Sequence, residues 1–360
     1  MNCCGDGGSS GSRKAMLLAI ETSCDETAAA LLETEEGRPR LLSSVVASQH
    51  EFHARFGGIV PEIAARRQVE VLQAVIADAL ERGRADFEDL GAVAVVNGPG
   101  LIGSLVVGVS AAKAIALARG LPLVGVNHLE AHIYSLFLPE AGESPGFPLL
   151  ALIASGGHTH LVLMKRHGRF EVVGRTRDDA AGEAFDKAGK LLGLGYPGGP
   201  ALAALADCGK EGEIDFPVAE IEAEKAGKGW DFSFSGTKTA LARQVRVLCR
   251  EELEKERADL AAGFQWAIVR ALVQTTFHAA EALEAENLAV VGGVACNLRL
   301  RREFIRRAQQ TGGKVFIPPT WLCTDNAAMV AMAGYYRLSA GARAGLDLDC
   351  EASLPLCNWG

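Results

Sequence analysis

No CxxC pair occurs anywhere in this 360-residue chain, and its nine cysteines are an odd number. A disulfide framework and a thiolate zinc site are therefore both unsupported. Cys24, Cys296 and Cys323 read as small buried residues rather than nucleophiles. Positive charge is in deficit: 36 Lys and Arg against 44 Asp and Glu leave a net charge of −8. No overall field draws such a chain onto polyanions or anionic membranes, so any nucleic-acid surface must be a local patch. An uninterrupted hydrophobic span is missing too. The longest stretch without a charged side chain, Leu90 to Ala112, is broken by Asn97, Gly98, Pro99 and Gly100. That pattern fits a buried strand, a turn and a buried helix rather than a membrane span. The first fourteen residues lack the apolar middle of a signal peptide. A cytoplasmic protein without membrane association is expected.

What is present is a large apolar fraction, 49%, and 41 glycines, where average usage of about 7% would give about 25. The length fits two domains at roughly 150 residues each. Leu17 to Ile20, Thr27 to Leu32 and Leu41 to Ala47 read as strands, followed by a helix from Ile59 to Arg82 with Pro61 in its first turn. Strand Ala92 to Val96, helix Leu101 to Arg119 and strand Leu123 to Val126 complete an alternating α/β lobe. A second lobe opens at Leu149 on the same plan. LLAIETSCDETAAALL and LLALIASGGHTHLVLM both run strand, polar turn, strand, as a duplicated lobe would. The expected division is a flexible tail 1–15, a first lobe 16–148, a second lobe 149–345 and a C-terminal tail 346–360. In the second lobe FEVVGRT is a third strand, helices are expected over 181–192, 259–284, 298–310 and 326–338, and strands over 288–291 and 314–317. Residues 207–230 look irregular or inserted, and Gly198 and Gly199 look like a turn.

Several motifs carry chemistry. VNHLEAH places His128 and His132 four residues apart, on one helical face, where both imidazoles can reach one metal ion or simply pack as core or surface histidines. Glu130, two residues from each, is about 200° around the helix and points away. It therefore cannot play the part of the Glu in the HExxH peptidase signature. Asp325 in CTDNAAM is a third ligand or a helix cap. Ser155, Gly156, Gly157 and His158 form a turn whose amides can bind an anion. GGVACN, ending at Asn297, lies between a strand and a helix where anions or nucleotides are favoured. Asp178, Asp179, Glu183 and Asp186 lead into a helix as dipole complements, or as carboxylates for ligand hydroxyls.

In order along the chain stand LAIETSCDETAAAL, SQHEFHARFGGIVPEIAAR, NGPGLIGSLVVGVSAAKAIA, VNHLEAH, SGGHTHLV, DDAAGEAFDKAGKLLGLGYPGGP, FSFSGTKTA, VGGVACN and CTDNAAM. Together they closely resemble the bacterial tRNA threonylcarbamoyladenosine transferase family, formerly labelled O-sialoglycoprotein endopeptidase. The resemblance implies the two-lobed α/β fold of actin-like ATPases, acetate and sugar kinases and heat-shock ATPases. It implies transfer of the threonylcarbamoyl group from threonylcarbamoyl-AMP to the exocyclic amine of adenosine 37, in tRNAs reading codons that begin with A, with release of AMP. By motif match, His128, His132 and Asp325 would hold one divalent metal ion per subunit, iron or zinc. Ile153, Ala154, Ser155, Gly156, Gly157, Asp186, Gly199 and Asn297 would line the substrate site. No general base is assigned. The partners implied are tRNA, a paralogous same-fold pseudoenzyme subunit and a P-loop ATPase subunit.

Two departures stand out: Gln68 replaces a usual His of the family, and His160 stands where Gln or Glu is common. Basic residues for RNA are Arg299, Arg301, Arg302, Arg306 and Arg307 on one helical segment, with Lys225, Lys228, Lys238, Arg243 and Arg246 elsewhere. Solvated helix faces explain them equally well. Competing readings are a metallopeptidase, a kinase or ATP-driven module and a noncatalytic scaffold. No Walker motif is present, and ETSCDET lacks the glycine of the DxGxT turn.

Overall fold

A computed structural model describes residues 15–35, 38–219 and 230–359. The first sheet holds β1 (Ala15–Glu21), β2 (Thr27–Glu35), β3 (Arg38–Ala47), β4 (Leu90–Gly98) and β5 (Leu123–Asn127) in the order β3-β2-β1-β4-β5. The second holds β6 (Leu149–Ala154), β7 (Thr159–Arg166), β8 (Arg169–Arg175), β9 (Asn287–Val291) and β10 (Lys314–Phe316) in the order β8-β7-β6-β9-β10. Pairing matches strand for strand. The first three strands of each sheet are antiparallel neighbours, and the fourth and fifth add in parallel. The resemblance between the two strand-turn-strand openings thus extends to whole sheets.

The helices that place the site begin with α1 (His50–Ala54), α2 (Pro61–Gly83), α3 (Ile102–Arg119) and α4 (His128–Tyr134). In the second half come α5 (Ala181–Leu191) and α6 (Gly198–Ala206). Strand residues alternate between faces, so each sheet feeds two cores. From β1, Leu18 and Ile20 meet Leu72, Val75 and Ile76 of α2 and Val109 of α3. Leu17 and Ala19 turn the other way, into a central core shared with Ala151 and Ile153 of β6. Leu150 and Leu152 face outward to Phe185 of α5, Leu202 of α6 and Phe264 of the long helix Arg250–Ala282. Coverage on both faces explains why β1, β4 and β6 are apolar almost throughout rather than alternating.

Between the sheets lie α4 and the last helix, Ala327–Ser339. That helix falls within the expected second lobe, 149–345, yet packs on β1, β2 and β5 of the first sheet. Small residues permit this. A Cβ on Gly334 would stand 2.6 Å from the Ala94 Cβ, so glycine lets the helix approach β4 closely. The chain after it runs as a strap. Glu351 N donates to Asn97 O at 2.9 Å, Asn127 Nδ2 to Leu354 O at 3.2 Å, and Trp359 N to Gly168 O at 3.0 Å. The expected tail 346–360 is therefore docked over its described part.

Elsewhere the structure departs from the sequence expectations. Gly198 and Gly199 open α6 instead of forming a turn, because the alanine-rich stretch that follows accepts Pro200 in its first turn. A helix at Ser235–Val247 was not anticipated, and the long helix starts at Arg250, where exposed charges give no apolar period. Residues 1–14 and Lys225 and Lys228 lie outside the described residues. Among those described, Ile102–Arg119 is the one helix whose length and composition would suit a membrane span, and it packs on β4 and α2.

Glu130 ties these parts together. It is fully buried, and its carboxylate accepts from Arg337 Nε and Nη2 at 3.0 Å and from Trp359 Nε1 at 3.1 Å. Replacing Glu130 by Ala would leave a mostly buried guanidinium without its partner, which costs about 3 kcal/mol. A urea titration of Glu130→Ala should show that loss, and an unchanged midpoint would show that the buried pair is not a determinant of stability.

Candidate functional site

The site grows from the end of β5. Asn127 caps α4, its side chain accepting from Leu129 N at 2.9 Å, and this starts the helix with His128 at its first position. His128 and His132 then share one face, their rings 4.7 Å apart. Asp325 meets them from the other half of the chain, its Oδ1 3.6 Å from His128 Nε2 and 3.3 Å from His132 Nε2. The cap position belongs to Asn326, whose side chain accepts from Met329 N at 3.0 Å. Asp325 is thereby left for the histidines, so the capping alternative is answered by its neighbour.

One ligand atom from each of His128, His132 and Asp325 falls within 4.8 Å of the others. His132 is fully buried, and neither of its ring nitrogens finds a hydrogen-bond partner. A buried imidazole beside a carboxylate and a second imidazole is a donor set that fits a divalent metal ion with open positions for oxygen ligands. His128 Nδ1 is held at 3.1 Å by Ser23 Oγ and at 3.2 Å by Glu21 Oε2, which orients the ring so that Nε2 faces Asp325. Burial works against a charged His128, but Asp325 and Glu21 outweigh it and raise its pKa to about 9. Burial and the neighbouring His128 lower that of His132. Burial opposes ionisation of Asp325, but His128 and His132 hold its carboxyl far below the usual range.

A second group lies beside the first. Asp25 and Glu26, in the turn after β1, converge on His50 at the start of α1, with His50 Nε2 3.0 Å from Glu26 Oε1 and 3.7 Å from Asp25 Oδ2. Its hydrogen bond to Glu26 raises the His50 pKa to about 8, burial pulling the other way. Burial raises the Glu26 carboxyl to about 8, restrained by the same hydrogen bond. Asp325, Asp186 and Tyr196 also face this group. Sequence reading passed over it because ETSCDE looked like a plain polar turn; the acidic pair followed by a distant His was the available signal.

Gln68, the departure from the usual His, now has a role. Its buried amide donates from Nε2 to Cys24 O at 3.0 Å, Glu26 O at 3.1 Å and Thr22 O at 3.4 Å. One side chain from α2 therefore fixes the turn that carries Ser23, Asp25 and Glu26.

The expected substrate-site residues occupy different settings. Ile153 and Ala154 are fully buried in β6 and offer only backbone. Ser155 closes the turn by accepting from His158 N at 3.2 Å, while Gly156 and Gly157 are exposed, with open space where a Cβ would stand. Asp186 Oδ1 accepts from Gly198 N at 2.8 Å and Gly199 N at 3.2 Å. Close contact is required at Gly198, whose Cβ would lie 2.7 Å from Asp186 Cα, rather than at Gly199. Asn297 caps the helix Leu298–Thr311 and donates to Gln265 Oε1 at 2.7 Å. Gln265 in turn lines a cavity of about 390 Å³ with Glu211, Arg299 and Arg302. Asp178 accepts from Phe234 N and Ser235 Oγ, both at 2.8 Å, and Asp179 pairs with Lys187 and Lys238, so these two carboxylates bind protein. Of the basic segment, Arg299 pairs with Glu211, Arg306 pairs with Glu303, and Arg301 turns inward. Arg302 and Arg307 remain exposed.

The sequence profile of the family described as tRNA N6-adenosine threonylcarbamoyltransferase matches residues 40–332. The chain belongs to that family. A protein of that name from Anaeromyxobacter dehalogenans is 53% identical over 336 residues, 93% of this chain and 98% of the relative. Another from Symbiobacterium thermophilum is 48% identical, covering 96% of this chain and 98% of the relative. A solved structure of HypF from T.kodakarensis superposes with a TM-score of 0.60 at 16% identity, over 91% of this chain and 48% of that one. The fold is thus of the actin-like ATPase and sugar kinase class, and the chain is a transferase that acts on tRNA adenosine.

Two outcomes follow from the turn. Gln68→Leu would strip donors from three carbonyls and should destabilise the protein by about 2 kcal/mol, read by denaturant titration. His50 has a raised folded pKa, so its contribution is complete below about 6.5 and lost as pH rises through about 8. The gap in melting temperature between wild type and His50→Gln should therefore narrow from pH 6 to pH 9; a constant gap would show that Glu26 does not raise the His50 pKa.

Proposed function

We propose that the chain transfers the threonylcarbamoyl group from threonylcarbamoyl-AMP to the exocyclic amine of adenosine 37 in tRNAs reading codons that begin with A, releasing AMP. Family membership supports the acyl transfer, and the observation that carries the site is the convergence of His128, His132 and Asp325, with Asp325 Oδ1 3.3 Å from a buried His132 Nε2 that has no hydrogen-bond partner. We assign these three to one divalent ion per subunit, iron or zinc. Bound there, the ion supplies Lewis acidity and a template for substrate oxygens.

The remaining work falls to the chain. An acyl adenylate is a mixed anhydride, so its carbonyl carbon is already activated and AMP is a stable leaving group. Orientation and charge stabilisation are what the protein must add. The exposed amides of Gly156 and Gly157 are free of side-chain obstruction and suit the developing negative charge. Ile153 and Ala154 support that turn from the strand. Asp186, Gly199 and Asn297 line the adenylate side, with Asp186 ordering the Gly198–Gly199 backbone and Asn297 ordering Gln265 beside the cavity.

A peptidase reading fares worse, because the carboxylate nearest in sequence to the histidines, Glu130, is engaged by Arg337 and Trp359 on the far side of α4. With a net charge of −8, the exposed Arg302, Arg307, Arg243 and Arg246 form only local patches, so tRNA affinity should weaken steeply with salt. We place the enzyme in the cytoplasm, working with a paralogous same-fold pseudoenzyme and a P-loop ATPase that extend the tRNA surface.

Incubation of the protein with unmodified tRNA, threonylcarbamoyl-AMP and those partners should give threonylcarbamoyladenosine, detected by mass spectrometry of digested tRNA, and His128→Ala should not. Ser23→Ala, which removes one support of the His128 ring, should weaken metal binding by about 10-fold. A folded His128→Ala that still transfers the group would separate the histidine pair from the reaction.

A further inference from the structure

Cys296 ends the short turn Gly293–Cys296 that follows β9, and Cys323 ends the turn Thr320–Cys323. The two turns pack on each other, and each thiol lies close enough to shift the other's ionisation. Both also reach the segment between them: Cys296 Sγ donates to Thr320 O at 3.6 Å and Cys323 Sγ to Pro318 O at 3.4 Å. Arg301 spans the junction, donating from Nε to Ala295 O at 2.5 Å, and from Nη2 to Pro318 O at 2.8 Å and to Cys323 Sγ at 3.1 Å. Cys296 is partly exposed while Cys323 is buried. The neighbouring Cys323 draws the Cys296 thiol down to about 7, burial opposing and the Arg301 charge assisting, while Cys296 and burial push the Cys323 thiol up. A partly exposed thiol of this kind beside a second, sheltered one is the arrangement in which oxidation is selective and reversible.

We propose that Cys296 and Cys323 form a reversible disulfide that switches this site off. The oxidant is a peroxide. The Cys296 thiolate attacks its O–O bond, an S–O bond forms, and the departing hydroxide takes a proton to leave as water. Cys323 sulfur then attacks the sulfenic sulfur: the S–S bond forms, the S–O bond breaks, and the second water carries off the Cys323 proton. Two thiols and one hydrogen peroxide become one disulfide and two waters, and a dithiol reverses the change. Closure to an S–S length of about 2.05 Å draws the two turns together. It also takes Cys323 from Arg301. Asn297 follows Cys296 directly, and Asp325 stands two residues after Cys323, so the contraction moves the adenylate side and a histidine partner at once. This rests on the transferase reading for what is switched, though not for the linkage itself.

The test treats the full chain with hydrogen peroxide, blocks remaining thiols, and maps linked peptides without reduction, alongside transfer assays on wild type and Cys296→Ala. A peptide linking Cys296 to Cys323, a loss of transfer of at least about 10-fold reversed by dithiothreitol, and a Cys296→Ala protein that transfers normally and resists peroxide are expected. The proposal is overturned if no such linkage forms, if it forms without loss of transfer, or if Cys296→Ala is equally sensitive. Reduced wild type that transfers nothing would instead fail the transferase reading, leaving the peptide map to decide the linkage.

Discussion

Seven consecutive residues, His128–Tyr134, are buried between two sheets, and two histidines and a glutamate are among them. Polar groups in such a place must be partnered or they cost several kcal/mol, and the rest of the molecule is arranged to meet that demand. On one face of α4 the histidines receive Asp325, Ser23 and Glu21. On the other, Glu130 receives Arg337 and Trp359. The helix is thus a polar rod through an apolar layer, one side carrying the candidate metal ligands and the other an attachment.

The cleft beside this rod is rich in carboxylates. Glu21, Asp25, Glu26 and Asp325 come from three separate turns and strand ends, and Asp186 faces them from α5. Their mutual repulsion is offset by His128 and His50 inside the chain, and a divalent ion would complete the balance. On the reaction proposed above, an anionic adenylate entering such a place would depend on backbone amides and cations rather than on the protein's overall charge, which is negative. Local arrangement and global charge act in opposite directions here.

Much of this was legible in the sequence. The repeated strand-turn-strand openings foretold two sheets of one topology, and four-residue spacing put His128 and His132 on one face with Glu130 opposed. Asp325 was visible as a candidate, but only the placement of Asn326 as cap shows why its carboxylate is available. What escaped reading was long-range. Nothing in the spacing of Glu26 and His50, or of Cys296 and Cys323, says that folding joins them, and Gln68 looked like a lost histidine until its three carbonyl partners were seen. Helix Ser235–Val247 escaped because its mixed polar sequence carries a weak apolar stripe.

The strap formed by the last residues has a consequence for synthesis. Arg337 and Trp359 emerge from the ribosome long after α4, so Glu130 stays without either partner while the chain up to Arg337, 207 residues on, is made. The first sheet can assemble earlier, but its inner face is capped only when Ala327–Ser339 arrives. The histidine pair therefore gains a fixed position only once Asp325 and that helix have been made, and a nascent chain stalled before that point carries an exposed apolar face for chaperones to hold.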